Sequence, residues 1–460
     1  MITIGFGILT VVLLLTFWFL RKVKNDYTKP KNILSFLLIF YWASQSIIAQ
    51  TTVKDYVKKS AVEIKHLSIK DNGVTDLEVV GRAIGDSRIV ALGEQNHGDG
   101  TTFEAKGRLV RYLHEQKGFN VLVFESDYFG LTYGFENIPK TQDSINHFIF
   151  DNVMGNWAWC DKAKSFLYEY ISQTHTTQSP LQIAGMDSQF HGSYTVKNLV
   201  NRASQIFSKI INTKQDSIQA KVVLENLPQT YYWTYKEPDS TALENGWASI
   251  SKLLKEKKLD SLSIEERLMI DNIKLSYEQM IDVLHKTYYT DYNYTKRDRQ
   301  MFNNLMWLLK YKFPNEKIII WAHNAHIAKF NQDFEDNNQK GVMTGHFLGN
   351  KKTNPFSYYV IGVTSYNANP IWVGMNYTIA VEKPKKNSFE NWINPNWNFS
   401  FIDWKGWNET KTNEAFSMKG SLEAIQHRNF INQWNKVFDG VFFIRNVDGC
   451  KQINLEEIRK

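Results

Sequence analysis

Arg88-Ile89-Val90-Ala91-Leu92 runs directly into Gly93-Glu94-Gln95-Asn96-His97-Gly98, and the same change of character occurs twice more. Val121-Leu122-Val123-Phe124 gives way to Glu125-Ser126-Asp127, and Ile318-Ile319-Ile320 to Trp321-Ala322-His323-Asn324-Ala325-His326. Short apolar runs rich in β-branched residues read as strands buried on both faces of a parallel sheet. Ligands of such sheets bind beyond the carboxyl ends of the strands. Three strand ends thus direct Glu94, His97, Glu125, His323 and His326 toward one crevice. That is the pattern of an active site.

Working outward, strand signals recur at 181–186, 358–364 and 438–444, and helical stripes lie at about 101–117 and 161–175. Alternation of this kind implies a parallel sheet with crossover helices. Residues 53–85 read as lead-in helices, and the tryptophan-rich stretch 390–407 as an ordered surface loop. Between 195 and 312 no strand signal appears. Amphipathic stretches at 195–222, 241–258, 263–286 and 295–312 predict four helices there. The expected fold is α/β: a mostly parallel β-sheet flanked by helices, with an inserted helical subdomain. The segments are 1–49 as a membrane anchor or signal peptide region, 50–194 and 313–460 as two parts of the catalytic core, and 195–312 as the insertion.

The 460 residues carry a net charge of +7, of which +4 comes from Arg21, Lys22, Lys24, Lys29 and Lys31 against Asp26. The nearly balanced remainder gives no electrostatic reason to expect nucleic acid as a partner. Residues 1–20 are long and apolar enough to cross a bilayer, and a second apolar stretch, 33–49, ends in a small residue as a signal peptide does. Membrane association is therefore expected only through this N-terminal segment, with the body exported and either periplasmic or membrane-tethered facing outward. Cys160 and Cys450 permit one disulfide at most, match neither a metal-ligand spacing nor a redox pair, and read first as two unpaired structural thiols.

Glu94 and His97 stand three apart in a glycine-bounded loop, where Gly93 and Gly98 permit a tight turn. An imidazole there can take a proton from water while a carboxylate fixes its tautomer. Glu125 ends a buried strand and needs a partner, with Arg108 or Arg111 the nearest candidates by sequence. His323 and His326 at i,i+3 can bind a metal or polarise a carbonyl. Asp187 is a fourth strand-end acid, either functional or a helix cap. Nucleophile-elbow, Walker, dinucleotide and HExxH signatures are missing, which favours direct attack by activated water over an acyl-enzyme.

Taken together these blocks resemble the erythromycin esterase family, hydrolases that open macrolide lactones. The resemblance rests on Leu92-Gly93-Glu94 with His97-Gly98, Arg108-Leu109 with Arg111-Tyr112-Leu113, Phe124-Glu125, Trp159, and Gly185-Met186-Asp187. It continues through Arg297-Asp298, Asn304-Leu305, Trp321 to His326 and Phe438 to Phe443, spanning about 75–450. It implies that His97 is the general base, that Glu94 and Glu125 are essential acids, that His323 and His326 are the paired histidines, and that the helical region walls a deep cleft. Lys106, Arg108 and Asp187 are then candidate substrate-binding residues. The chain departs from the pattern at Thr101, where an acid is usual, and at Lys106, where an arginine is usual and its planar fork is lost.

The expectation is an esterase in which His97 deprotonates water and His323, His326 and Lys106 stabilise the oxyanion. Its substrate would be a small-molecule ester such as a macrolide, giving antibiotic resistance, and no cofactor is expected. A divalent metal held by Glu94, His97, Glu125 and His326 is the alternative within the same fold. A secreted binding protein is the alternative outside enzymes, with Tyr231-Tyr232-Trp233, Tyr288-Tyr289 and 392–407 as an aromatic platform.

Overall fold

A computed structural model describes residues 52–70, 73–232, 238–255, 259–285, 291–329, 342–374, 381–410, 412–422 and 427–459. The two N-terminal apolar segments, Trp233 and Tyr288-Tyr289 lie outside these residues. Among those described, no helix is long and apolar enough to cross a membrane.

All six runs read as strands are strands. They are β2 (Ile89–Leu92), β3 (Phe119–Asp127), β4 (Gln182–Asp187), β5 (Lys317–Trp321), β6 (Tyr358–Asn369) and β10 (Gly440–Asp448). Two further strands, β1 (Val62–Ile64) and β7 (Phe399–Asp403), complete an eight-stranded sheet of order β1-β7-β10-β6-β2-β5-β3-β4. Pairing is parallel from β10 to β4 and antiparallel at β7 and β1. A separate hairpin joins β8 (Phe416–Met418) to β9 (Phe430–Asn432).

The central strands are apolar throughout because both faces are covered. In β2 and β5, Ile89, Ala91, Ile318 and Ile320 enter one core, while Val90, Leu92, Ile319 and Trp321 enter the other. Helix α1 (Gly100–Lys117) packs on the second face and ends at left-handed Gly118, a conformation glycine adopts without a Cβ penalty.

Among the described residues the segment read as four helices contains five α-helices: α2 (Gly192–Ser208), α3 (Lys214–Asn226), α4 (Ser240–Lys255), α5 (Ile264–Leu284) and α6 (Asp291–Trp307). The first predicted helix is broken because Thr213 and Asp216 form a capping box that starts α3. Ser263 and Glu266 start α5 in the same way. Leu199, Val223, Ile250, Ile273 and Leu305 from these helices share one continuous core with the sheet residues Ile89, Val121 and Ile318. The helical region is thus packed over one sheet face rather than standing as a body of its own.

Three expectations are corrected. The lead-in segment contains β1 as well as helices. The tryptophan-rich stretch contains β7, and Trp404 and Trp407 are wholly buried, so it is an element of the sheet and core rather than a surface loop. Cys160 and Cys450 are disulfide-bonded across 290 residues, because the bend before the 161–174 helical turns lies beside the chain that leaves β10.

Candidate active site

Neighbouring strands β2, β5, β3 and β4 present their carboxyl ends side by side, and each delivers one part of the site. β2 leads into Glu94 and His97. Glu94 is fully buried, and its carboxylate accepts from three donors: His97 Nδ1 at 2.7 Å, the Trp157 indole at 2.9 Å and Lys106 Nζ at 2.6 Å. Burial alone would raise this carboxyl, but Lys106 and His97 outweigh it and hold it below its ordinary value. With Nδ1 donating to Glu94, Nε2 of His97 is the basic nitrogen, and it has no hydrogen-bond partner among the described residues. The His97 ring lies 5.5 Å from those of both His323 and Trp372.

Gly93 and Gly98 serve close approach rather than an unusual turn, since neither has positive φ. A Cβ on Gly93 would stand 1.9 Å from Asn324 Oδ1, and one on Gly98 would stand 2.7 Å from the Ile371 backbone. Asn324 in turn ties α7 (Asn324–Ile327) to β6, bonding both the N–H and the carbonyl of Val363. The glycine therefore lets two strand ends come together.

β3 delivers Glu125, β4 delivers Asp187, and β5 leads into His323 and His326. Glu125 accepts from the His323 backbone N–H at 2.9 Å, Arg297 Nη2 at 3.2 Å and His326 Nε2 at 3.1 Å. Burial pushes its carboxyl up, yet His326 and Arg297 hold it well below the usual carboxylate range. His326 also donates from Nδ1 to Asp298 at 2.8 Å. Burial opposes its charge, but the two carboxylates raise it to about 10, so it is an imidazolium at neutral pH. His323 behaves oppositely. Its Nε2 donates to the Gln95 carbonyl at 2.9 Å and its Nδ1 accepts from the Ala325 N–H at 3.1 Å, while burial brings it down to about 3. It is a neutral N-cap.

The structure brings Glu94, His97, Glu125, His323 and His326 together, and gives other surroundings to the expected substrate contacts. Lys106 is sealed behind Glu94, 4.4 Å over the Trp321 ring. Burial lowers it to about 8 against the pull of Glu94. Arg108 faces away from the cleft, paired with Asp76 at 2.7 Å and capping the carbonyls of His66 and Gly73; neither it nor Arg111 is the partner of Glu125. Asp187 is buried against Arg297, whose Nε bonds both of its oxygens at 3.1 Å, so it is an ion-pair partner and not a helix cap. As oxyanion donors, His323, His326 and Lys106 all have N–H groups already committed to protein acceptors.

Trp157 is a site residue that the sequence did not single out, and Arg297-Asp298 entered only as a matching pair in the resemblance, with no role assigned. Arg297-Asp298 stood in the sequence as an adjacent charged pair on a helix, and Trp157 as one of two tryptophans in Gly155-Asn156-Trp157-Ala158-Trp159. At neutral pH the carboxylates Glu94, Glu125, Asp187 and Asp298 face the cations Lys106, Arg297 and His326. Of these, Glu94 is bonded to His97 itself, through Nδ1. The arrangement can therefore stabilise an imidazolium. It does not form a chelate: among the described residues no group of three or more His, Cys, Asp or Glu is placed to hold a metal ion, and Glu94 and Glu125 are instead neutralised by Lys106, Arg297 and His326.

Comparisons with known proteins bear on the family and the fold. The family model described as erythromycin esterase matches residues 114–447. A protein of Bacillus subtilis (strain 168) named "Putative hydrolase YbfO" is 25% identical over 334 residues, covering 66% of this chain and 70% of that protein. The erythromycin esterase type II of Escherichia coli is 22% identical over 351 residues, covering 69% and 78%. In fold, a mutant of the erythromycin esterase EreC in its open conformation superposes with a TM-score of 0.57 at 15% identity, over 86% of this chain and 99% of that one. A crystal structure described as a succinoglycan biosynthesis protein gives 0.63 at 19% identity, over 87% and 99%.

Proposed function

The chain belongs to the erythromycin esterase family, and from that premise we propose that this hydrolase cleaves a carboxylic ester, with a macrolide lactone the best specific substrate, by water that His97 activates. The observation that carries the reading is the Glu94–His97 pair, whose 2.7 Å bond leaves Nε2 as the base. Nε2 takes a proton from water as the water oxygen bonds to the carbonyl carbon. The imidazolium that forms keeps its Nδ1–H on Glu94. When the tetrahedral intermediate collapses, the carbon–oxygen bond to the leaving alkoxide breaks and Nε2 returns the proton to it. The products are a carboxylic acid and an alcohol, which in a lactone remain one molecule. Base catalysis of this kind contributes about 10²–10⁴ in rate.

The other residues act by position and charge. Lys106 and Trp157 keep Glu94 ionised and oriented. Glu125, His326, Arg297, Asp187 and Asp298 form a charged wall beside His323, whose neutral ring separates it from His97. Preorganised charge of this sort is worth most where water is excluded. No cofactor enters the scheme. The Cys160–Cys450 disulfide supports placing the body in an oxidising compartment, as an exported protein would be.

Mass spectrometry of erythromycin incubated with the purified protein tests the substrate assignment. A gain of one water (about +18 Da, the mass added by hydrolysis) supports macrolide opening and with it a role in resistance. An unchanged mass removes macrolides of this type and directs the search to other esters.

A further inference from the structure

A cavity of about 450 Å³ is lined in part by residues next in the chain to those that touch the site. Its walls are mainly apolar, with Val153, Met154, Trp159, Val196 and Val373 prominent; among the described residues the one charged group lining it is the Asp151 carboxylate, and no lysine or arginine does. The volume lies within the usual span of small-molecule pockets, about 300–1,000 Å³. Three stretches of chain join it to the chemistry. Asn156 lines the cavity and Trp157 beside it bonds Glu94; Val373 lines it and Trp372 beside it contacts His97. His191 lines it and bonds Ser126, the neighbour of Glu125, at 3.0 Å.

Two polar groups in this apolar wall have unmet hydrogen-bonding capacity. Asn156 is 8% exposed, and its side-chain amide has no partner among the described residues. His191 accepts the Asp127 N–H on Nε2 at 3.3 Å, so a neutral ring carries its proton on Nδ1, which has no partner among the described residues. Burial brings this imidazole down to about 4, in keeping with a neutral donor. A ligand oxygen can satisfy both groups. A carboxylate or phosphate would find no cation to pair with among the described residues and would meet the Asp151 carboxylate, and burying it bare is unfavourable.

We propose that this cavity seats the uncharged, oxygen-bearing apolar part of the ester, with Asn156 and His191 as its specificity-determining contacts; this rests on the esterase reading above. The test is a ligand-observed NMR titration with 4-phenyl-2-butanone, a neutral ketone with no bond to hydrolyse, and with 3-phenylpropanoate, its carboxylate counterpart. Wild type binds the ketone at millimolar strength and the carboxylate at least about tenfold more weakly, as expected for an uncompensated charge. Asn156→Ala weakens the ketone about fivefold, the worth of one ordinary hydrogen bond. Val196→Trp, which fills the cavity from a half-exposed helix position, removes binding with the melting curve unchanged. No saturable binding to wild type, undiminished binding to Val196→Trp, or equal affinity for the carboxylate overturns the proposal. Ketone binding by a wild type that opens no ester condemns the esterase reading instead, and ester turnover that Val196→Trp leaves untouched condemns the cavity alone.

Discussion

Replacing Glu94 by glutamine separates the two tasks of this side chain. In the wild type three donors, from His97, Trp157 and Lys106, converge on two charged oxygens. Glutamine offers one acceptor oxygen and turns an NH₂ toward the remaining donors. The Lys106 ammonium, fully buried, is then left without its countercharge. Breaking a buried pair from one side costs about 3–5 kcal/mol, a large part of the 5–15 kcal/mol typical of a folded domain. The imidazolium of His97 also loses the charge that stabilises it, which predicts a fall in turnover of about 10²–10⁴. A double-mutant cycle distinguishes the effects. Glu94→Gln with Lys106→Met removes both charges, and should recover most of the lost stability while turnover stays low. Urea denaturation followed by tryptophan fluorescence, alongside hydrolysis rates, reads both quantities. The reasoning fails if Glu94→Gln alone is as stable and within tenfold as active as wild type, or if the double variant regains activity.

Arg297→Lys keeps the charge but loses the fork that engages Asp187 and Glu125 together; turnover should fall about 10–100-fold, as for other groups that orient a first layer of site residues, with wild-type rates contradicting a role for the fork. Burial lowers His326, but Asp298 and Glu125 lift it from 6.5 to about 10. Its ion-pair contribution is therefore complete below about pH 6.5 and lost as pH rises through about 10. The stability gap between wild type and His326→Gln should narrow over that window in denaturation measured at stepped pH, and a widening gap would reverse the sign of the argument. Substituting Cys160 and Cys450 together by alanine opens a 290-residue loop. It should lower stability by about 2–5 kcal/mol, visible as a lower denaturation midpoint; an unchanged midpoint would remove the disulfide from the account of the fold.

The six strands were legible because each is buried on both faces, and continuous apolar runs such as Ile318-Ile319-Ile320 have few other uses. β7 was hidden by its setting, since Phe399–Asp403 lies among tryptophans and asparagines whose polarity resembles a loop. The insertion of β5 between β2 and β3 leaves no local mark, yet it is what brings His323 to Glu125. Glu94, His97, Glu125 and His326 could be named because strand ends of an α/β sheet face one crevice. Their partners could not, because 172 residues separate Arg297 from Glu125 and no local pattern announces a contact at that distance. The family resemblance placed Lys106 near the chemistry but could not tell a buried counterion from a substrate contact, a difference that only burial decides.

The rate of ester opening by His97→Ala, with and without added imidazole, bears most directly on the central claim. On any ester or lactone that the wild type opens, the variant should be slower by about 10²–10⁴ and should recover part of that loss when imidazole supplies the missing base. A variant that retains its rate within tenfold of wild type would show that another group activates the water, and would contradict the account.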